Sequence, residues 1–234
     1  ARMTAPLVAV AAVLRSWLET HGIKAEAHLG AIGDIEAATM NECPPRWDNE
    51  ACRELRCRDP KAAAKMAQLV EETRRSRDSI GSRVDLQVEG LPLGLGEPWF
   101  DGIEPAMARA MMSIPAARGV EFGHGFAAQM MHGSDHNSPW GGTSEQPMLM
   151  GEQPDGALAG LSTGSPVHVR VAFKPPSSIP QVQHTLNLKT NQQEPLIVKG
   201  RHDPVLGPRA VAVVEAMALL VIGDLIVRGG FCDA

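Results

Sequence analysis

Lys199, Arg201, His202 and Asp203 stand within five residues of one another in the stretch KGRHDP, immediately before the apolar run VLGPRAVAVVEAMALLVIGDLIV. Two readings of that spacing are open. Asp-Pro makes a good helix start, with Arg201 and His202 merely solvated on the approach to it. Alternatively, Arg201 clamps a phosphate or carboxylate, and His202 and Asp203 supply proton-transfer groups beside a helix N-terminus that favours anions. The stretch KPPSSIP, residues 174–180, divides in the same way. Its prolines withdraw ladder donors and so end a strand. Its Lys174 charge and its Ser177 and Ser178 hydroxyls also make a rigid cradle for an anion. His124, His132 and His136 form a third group. A histidine pair at i and i+4 can bind a metal on a helix. Here Gly133 and the polar segment after it break any helix, so loop histidines and no metal are expected.

The composition bounds what such residues can serve. A chain of 234 residues suits one large core or two small ones, and no Ser/Gly or Pro-rich linker divides it, so a single domain over 1–234 is expected. A formal charge of −5 argues against a general nucleic-acid binder, which needs excess Lys and Arg to displace counterions, although a local anion site remains compatible. Cys43, Cys52, Cys57 and Cys232 match neither a dense disulfide framework nor a metal knuckle, which points to reduced thiols and a cytoplasmic location. The opening ARMTAPLVAVAAVL has one Arg and then an apolar run. RSWLETHG continues its helical pattern without a small-residue cleavage site, which argues against a signal peptide. With no Met in front of it, the chain reads as beginning inside something longer.

The elements that must position these residues follow from periodicity. Leu7, Val8, Ala11, Ala12, Leu14 and Leu18 recur at helical spacing from Thr4 to about Glu19, with Pro6 near the start and Gly22 as the stop. Ile23, Ala25, Ala27 and Leu29 alternate with Lys24, Glu26 and His28, a strand pattern. The polar, turn-rich segment 34–58 is expected to be irregular. Asp59 and Pro60 then supply an N-cap and first-turn proline to an amphipathic helix. Strands are predicted at SRVDLQVEGLP and PVHVRVAFK, the latter with Val167, Val169, Val171 and Phe173 on one face and His168, Arg170 and Lys174 on the other. A short helix is predicted at PAMARAMMSI. Residues 133–156 are rich in Gly, Pro and Ser and read as a functional or disordered loop. The final helix, from Arg209 to Arg228 before Gly229 and Gly230, carries Glu215 and Asp224. Two acids in one span are costly in lipid, so a core helix or oligomer contact is favoured over a membrane span. Strands that alternate in polarity among helices indicate an α+β fold with sheets covered on one face.

Five separated blocks then line up in order with one family. RSRDSIGSRV, GLPLGLGEPWFD, AMMSIPAARGVEFGHGF, LAGLSTGSPVHVRVAFKPPSSI and KGRHDPVLGPRAVAVVEAMALLV together resemble chorismate synthase. The opening ARMTA resembles the family's ARETA, which places the resemblance over the carboxyl two-thirds of such proteins. The resemblance implies a β-α-β sandwich of antiparallel sheets around helices and a homotetramer. It implies an anti 1,4-elimination of phosphate from 5-enolpyruvylshikimate 3-phosphate to give chorismate, with reduced FMN required although no net redox change occurs. Flavin contacts are implied at Pro115 and Ala116, at Ala159, at Lys174, Pro175, Pro176, Ser177 and Ser178, and at Arg201. Asp203 matches an aspartate that assists proton transfer, and Arg2 an arginine near the flavin and the substrate phosphate. Whether the flavin is reduced by NADPH on the protein itself is left open.

The sequence departs from the family pattern at several of these places. Pro115 stands for a usual Asn, Ala159 for Gly, Pro176 for Thr, His124 for Asp, Met3 for Glu, Leu7 often for Arg, and Val205 for Cys. The family's GESHG histidine, a second catalytic histidine and an Arg-Ser-Ser flavin contact are not among these residues. The 234 residues alone are therefore expected to be inactive or severely impaired. A flavin- or phosphate-binding homologue without turnover is the alternative, and a purely structural or assembly role for the chain is a further one.

Overall fold

The computed structural model describes residues 2–151 and 155–231, so Cys232 lies outside the described residues. In chain order the helices and strands are α1 (Ala5–Thr20), β1 (Lys24–Ile32), β2 (Ile35–Glu36), α2 (Glu50–Leu55), α3 (Pro60–Arg75), β3 (Ser82–Glu89), α4 (Ile103–Met112) and β4 (Ala117–Phe122). There follow α5 (Gly133–His136), β5 (Trp140–Gly142), β6 (Pro147–Leu149), β7 (Ala157–Leu158), β8 (Leu161–Ser162), β9 (Val167–Phe173), β10 (Gln183–Asn187), β11 (Gln192–Leu196) and α6 (Gly207–Gly229). One five-stranded sheet has the order β2-β1-β3-β9-β4, and three two-stranded antiparallel ribbons pair β5 with β6, β7 with β8, and β10 with β11. The fold is α+β. The residues group into two compact units: one holds Ala1–His28, Val84–Ala172 and Arg209–Ala234, the other Leu29–Arg83 and Phe173–Pro208.

In the first unit, Pro6 starts α1, and Gly22, at φ +77°, follows its C-cap His21. Ala11 and Leu18 are buried as the periodicity predicts, but Leu7 and Ala12 are exposed, as are Val10 and Val13. The alternation of β1 holds from Lys24 to Ala27 and then stops. His28, expected to face outward, is fully buried, and every residue on to Ile32 is buried as well. Strands covered on both faces lose period two as a burial signal. β9 keeps it, with Val167, Val169, Val171 and Phe173 all buried; on β3 Val84, Leu86 and Val88 are buried as well, but so is Gln87 between them. α4 starts two residues earlier than predicted and packs on β4. Residues 133–156, expected to be a loop, contain α5 and the β5–β6 hairpin, with Trp140 opposite Leu149.

An 18-residue window of α6 has a mean hydropathy of 2.4, and the helix is long and apolar enough by composition to cross a membrane. Its Val211, Val214, Ala218, Leu219, Ile222 and Ile226 are buried within the protein itself. Glu215 interrupts that surface and is compensated locally. Its carboxylate is paired with Arg15 and accepts a hydrogen bond from the Ala27 N–H at 3.1 Å. Burial still pushes the Glu215 carboxyl above its ordinary range, against the lowering pull of Arg15 and of the Ala27 bond.

In the second unit, Asp59 caps α3 as predicted: its Oδ1 accepts from the N–H groups of Lys61 (2.8 Å) and Ala62 (3.2 Å), and its Oδ2 from Ala38 (3.2 Å). The segment expected to be irregular, 34–58, holds β2 and α2 instead. Asn49 caps α2 by accepting from the Cys52 N–H at 3.1 Å, and Arg56 ends it at φ +55°. Six polar-rich residues are too few to show a helical period, so only the cap was there to be read. Cys43, Cys52 and Cys57 are free thiols, and burial raises the Cys57 pKa to about 12.

α6, predicted from Arg209, begins two residues earlier at Gly207, so the Asp203-Pro204 pair lies ahead of the helix and does not start it. The Pro204 carbonyl accepts instead from the Ile80 N–H at 2.8 Å, which removes it from the helical ladder. Gly207 sits where a Cβ would meet Leu29 Cδ1 at 2.4 Å and Ser82 Cβ at 2.8 Å. Only glycine allows so close an approach.

Candidate functional site

Within the second unit, the two stretches singled out by their chemistry come together. β9 ends at Phe173, and Pro175 and Pro176 prevent its continuation, which leaves Lys174, Ser177 and Ser178 exposed. The segment DSI, residues 78–80, staples this turn to the KGRHDP stretch. Ser79 donates its hydroxyl to the Pro176 carbonyl (2.6 Å), and the neighbouring Ile80 N–H reaches the Pro204 carbonyl. Gln181 adds a bond from its amide to the Ser76 carbonyl at 3.0 Å, at the end of α3.

Arg201 and Asp203 lie on the same face of their turn, with Arg201 Nη2 3.7 Å from Asp203 Oδ1. The Arg201 side chain is 79% exposed, which leaves its remaining donors available to a ligand, and Asp203 is 31% exposed. His202 bridges the two stretches: Ser178 Oγ is 3.0 Å from its Nδ1, and the Val198 carbonyl is 2.9 Å from its Nε2. A hollow of about 150 Å³ beside it is lined by Arg74, Arg77, Asp78, Pro180, Gly200, His202 and Pro204. Arg77 follows α3 in a left-handed conformation, φ +58°, an uncommon choice for a residue with a Cβ.

The other predicted residues belong to the first unit. Pro115 and Ala116 form the turn between α4 and β4, and Ala159 forms the turn of the β7–β8 ribbon. Ala116 and Ala159 both hold positive φ, +74° and +52°. That geometry explains why glycine would serve at 159, and strained non-glycine turns of this kind recur at ligand sites. Pro115 has no N–H to offer, so a main-chain contact there uses its carbonyl. Arg2 is exposed, just before α1. His124 and His136 face each other with ring centroids 5.7 Å apart, and His136 Nε2 pairs with Asp155 Oδ2 at 2.8 Å. His136 closes the one-turn helix α5 that forms after His132, where the sequence reading expected none. Larger hollows of about 650 and 550 Å³ border His132, His136 and Trp140, and Cys43, Asp48 and Asp59; none of the predicted flavin residues lines either.

Sequence reasoning missed Ser79, Ile80, Val198 and Gln181. The RSRDSIGSRV block marked the neighbourhood of the first two, but the main-chain groups of Ile80 and Val198 have no residue signature.

An α+β protein with an exposed cationic and hydroxyl-rich turn held against an Arg-His-Asp turn is suited to an anionic ligand. A sequence profile described as chorismate synthase matches residues 1–227, and the chain belongs to the chorismate synthase family. The chorismate synthase of Aeropyrum pernix is 42% identical over 227 residues, covering 96% of this chain and 60% of that protein. That of Methanosarcina mazei is 39% identical over 233 residues, covering 100% and 64%. A solved crystal structure of chorismate synthase superposes with a TM-score of 0.74 at 26% identity, over 97% of this chain and 63% of that one. The chain thus spans less than two-thirds of the length of these relatives.

Proposed function

We propose that these 234 residues supply the flavin-holding part of a chorismate synthase, the lyase that eliminates phosphate from 5-enolpyruvylshikimate 3-phosphate to give chorismate in aromatic amino-acid biosynthesis. The observation that carries this reading is the stapled pair of turns in the second unit, which presents Lys174, Ser177, Ser178, Arg201 and Asp203 from one compact framework.

The donor set fits reduced FMN. Lys174 and Arg201 of the second unit suit its phosphate as charge-assisted donors and Ser177 adds a hydroxyl; in the first unit, the family resemblance gives main-chain contacts at Pro115, Ala116 and Ala159. Pro175 and Pro176 contribute shape and carbonyls only, and the Pro176 carbonyl already accepts from Ser79. Arg2 adds a cation for the substrate phosphate. Asp203, with Arg201 Nη2 3.7 Å from its Oδ1, is the group that accepts or holds a proton next to the flavin. When bound, reduced FMN supplies electron density to the elimination without net oxidation or reduction. The assembly is proposed to be a cytoplasmic homotetramer.

Flavin titration and turnover test this separately. The 234 residues are expected to bind FMN, with Arg201→Ala weakening binding by about 10- to 100-fold, the worth of one charged hydrogen bond. Alone they should release no phosphate from the substrate with chemically reduced FMN, because the family's GESHG motif is not among them. Joined to the part of the Aeropyrum pernix protein outside the matched region, they should form chorismate, and Asp203→Asn should slow that by about 100-fold or more. A chimera that binds flavin and never turns over would leave a binding protein, not a synthase; robust turnover by the 234 residues alone would refute the division of labour.

A further inference from the structure

His202 is the member of the stapled turns to which neither the flavin contacts nor the proton-transfer role gives a task. Its two ring nitrogens are both engaged, and the partners decide how. Val198 offers a carbonyl, which can only accept, so Nε2 carries the proton and donates across 2.9 Å. In the neutral ring Nδ1 is then a lone pair, and the Ser178 hydroxyl donates to it across 3.0 Å. The imidazole therefore ties the carboxyl end of the 174–178 turn to the residue that precedes KGRHDP. Ser79 and Ile80 already join the same two segments through the Pro176 and Pro204 carbonyls. Those bonds fix main chain, whereas the His202 bridge fixes the exposed Ser178 side chain.

We propose that His202 is a positioning residue that holds Ser178 and the Arg201–Asp203 turn as one rigid cradle and sets the polarity of Ser178 toward the ligand. This rests on the flavin-holding role of those residues proposed above. With its proton given to His202, Ser178 presents only lone pairs outward. It therefore accepts from an N–H or O–H of the bound ligand, and the anionic end of the ligand is left to Lys174, Ser177 and Arg201. The His202–Ser178 bridge lies between exposed segments, so its loss loosens the cradle without opening a core.

Three measurements on the 234-residue chain test the proposal. Nitrogen NMR of the imidazole at pH 8.5 should show His202 as the Nε2–H tautomer; the Nδ1–H form would overturn the assignment. Amide hydrogen exchange without ligand should speed up in His202→Ala across both 176–179 and 199–203, and Ser178→Ala should speed up 199–203 while Ser178→Thr restores it. Faster exchange confined to the neighbours of the mutated residue would mean that no tie exists. FMN affinity should fall by about 3- to 10-fold in His202→Ala, the worth of a neutral hydrogen bond, with the thermal midpoint unchanged. Equal affinity in the variant would refute the positioning role. Failure of the unmodified chain to bind FMN would instead refute the flavin reading, and the tautomer and exchange results would still decide the tie.

Discussion

Glu215 shows how one residue can carry opposite influences within a few ångströms. Arg15 and the Ala27 N–H favour its ionised form, yet removal from water outweighs both, and the carboxyl is shifted above its ordinary value of 4.5. A carboxyl whose folded pKa lies above its unfolded one adds stability that is complete below pH 4.5 and is lost as pH rises through the folded value. Chemical denaturation from pH 4 to 7 should therefore show the wild type losing stability relative to Glu215→Gln as pH rises; a parallel pair of curves would contradict the shift. The residues of the candidate site work at the same scale. Arg201 and Asp203 were legible as chemistry from their types alone, but the tasks of Ser178 and His202 depend on which atom faces which, and that required coordinates.

Among the elements, a tight main-chain join within the first unit lies where β3 ends. Gly90 holds φ +76°, and a Cβ there would lie 2.1 Å from the Gly22 carbonyl oxygen, in the turn between α1 and β1. Main chain cannot give way as a flexible side chain can, and the left-handed conformation adds its own strain. Gly90→Ala should therefore cost about 3 kcal/mol or more, read as a shift in the urea midpoint. Gly94→Ala is the useful control, because it shares a positive φ (+84°) but meets nothing within 4 Å, so it should cost only the backbone term of about 1 kcal/mol. Equal losses in the two variants would show that conformation, not contact, governs both.

For the whole molecule, family membership carries the largest inference and also bounds it. The matched relatives are longer, this chain spanning 60% and 64% of the two compared, so their activity stands for it as a proposal. Assembly also bears on the surface of α1, where Val10 and Val13 are 58% and 77% exposed. Exposed aliphatic residues on a regular helix favour burial in a larger assembly. Sedimentation velocity should give a species of four times the 25.0 kDa chain mass. A single 25.0 kDa boundary at micromolar concentration would count against the homotetramer.

By itself the sequence determined the α+β class, the long helices α1, α3 and α6, the alternating strands β3 and β9, and the residue types able to hold an anion. These rest on periodicity, capping residues and charge, which are local and leave a signature within a dozen residues. Tertiary structure alone decided that His28 is buried, that Asp203 and Pro204 lie ahead of α6, and that residues 133–156 hold a short helix and a hairpin. Each of those outcomes turns on what another segment brings alongside: a covered second face, an Ile80 N–H for the Pro204 carbonyl, a partner strand. The joining of Ser178 to His202 is of the same kind. Their side chains meet across 24 positions of sequence, and no local pattern encodes that contact.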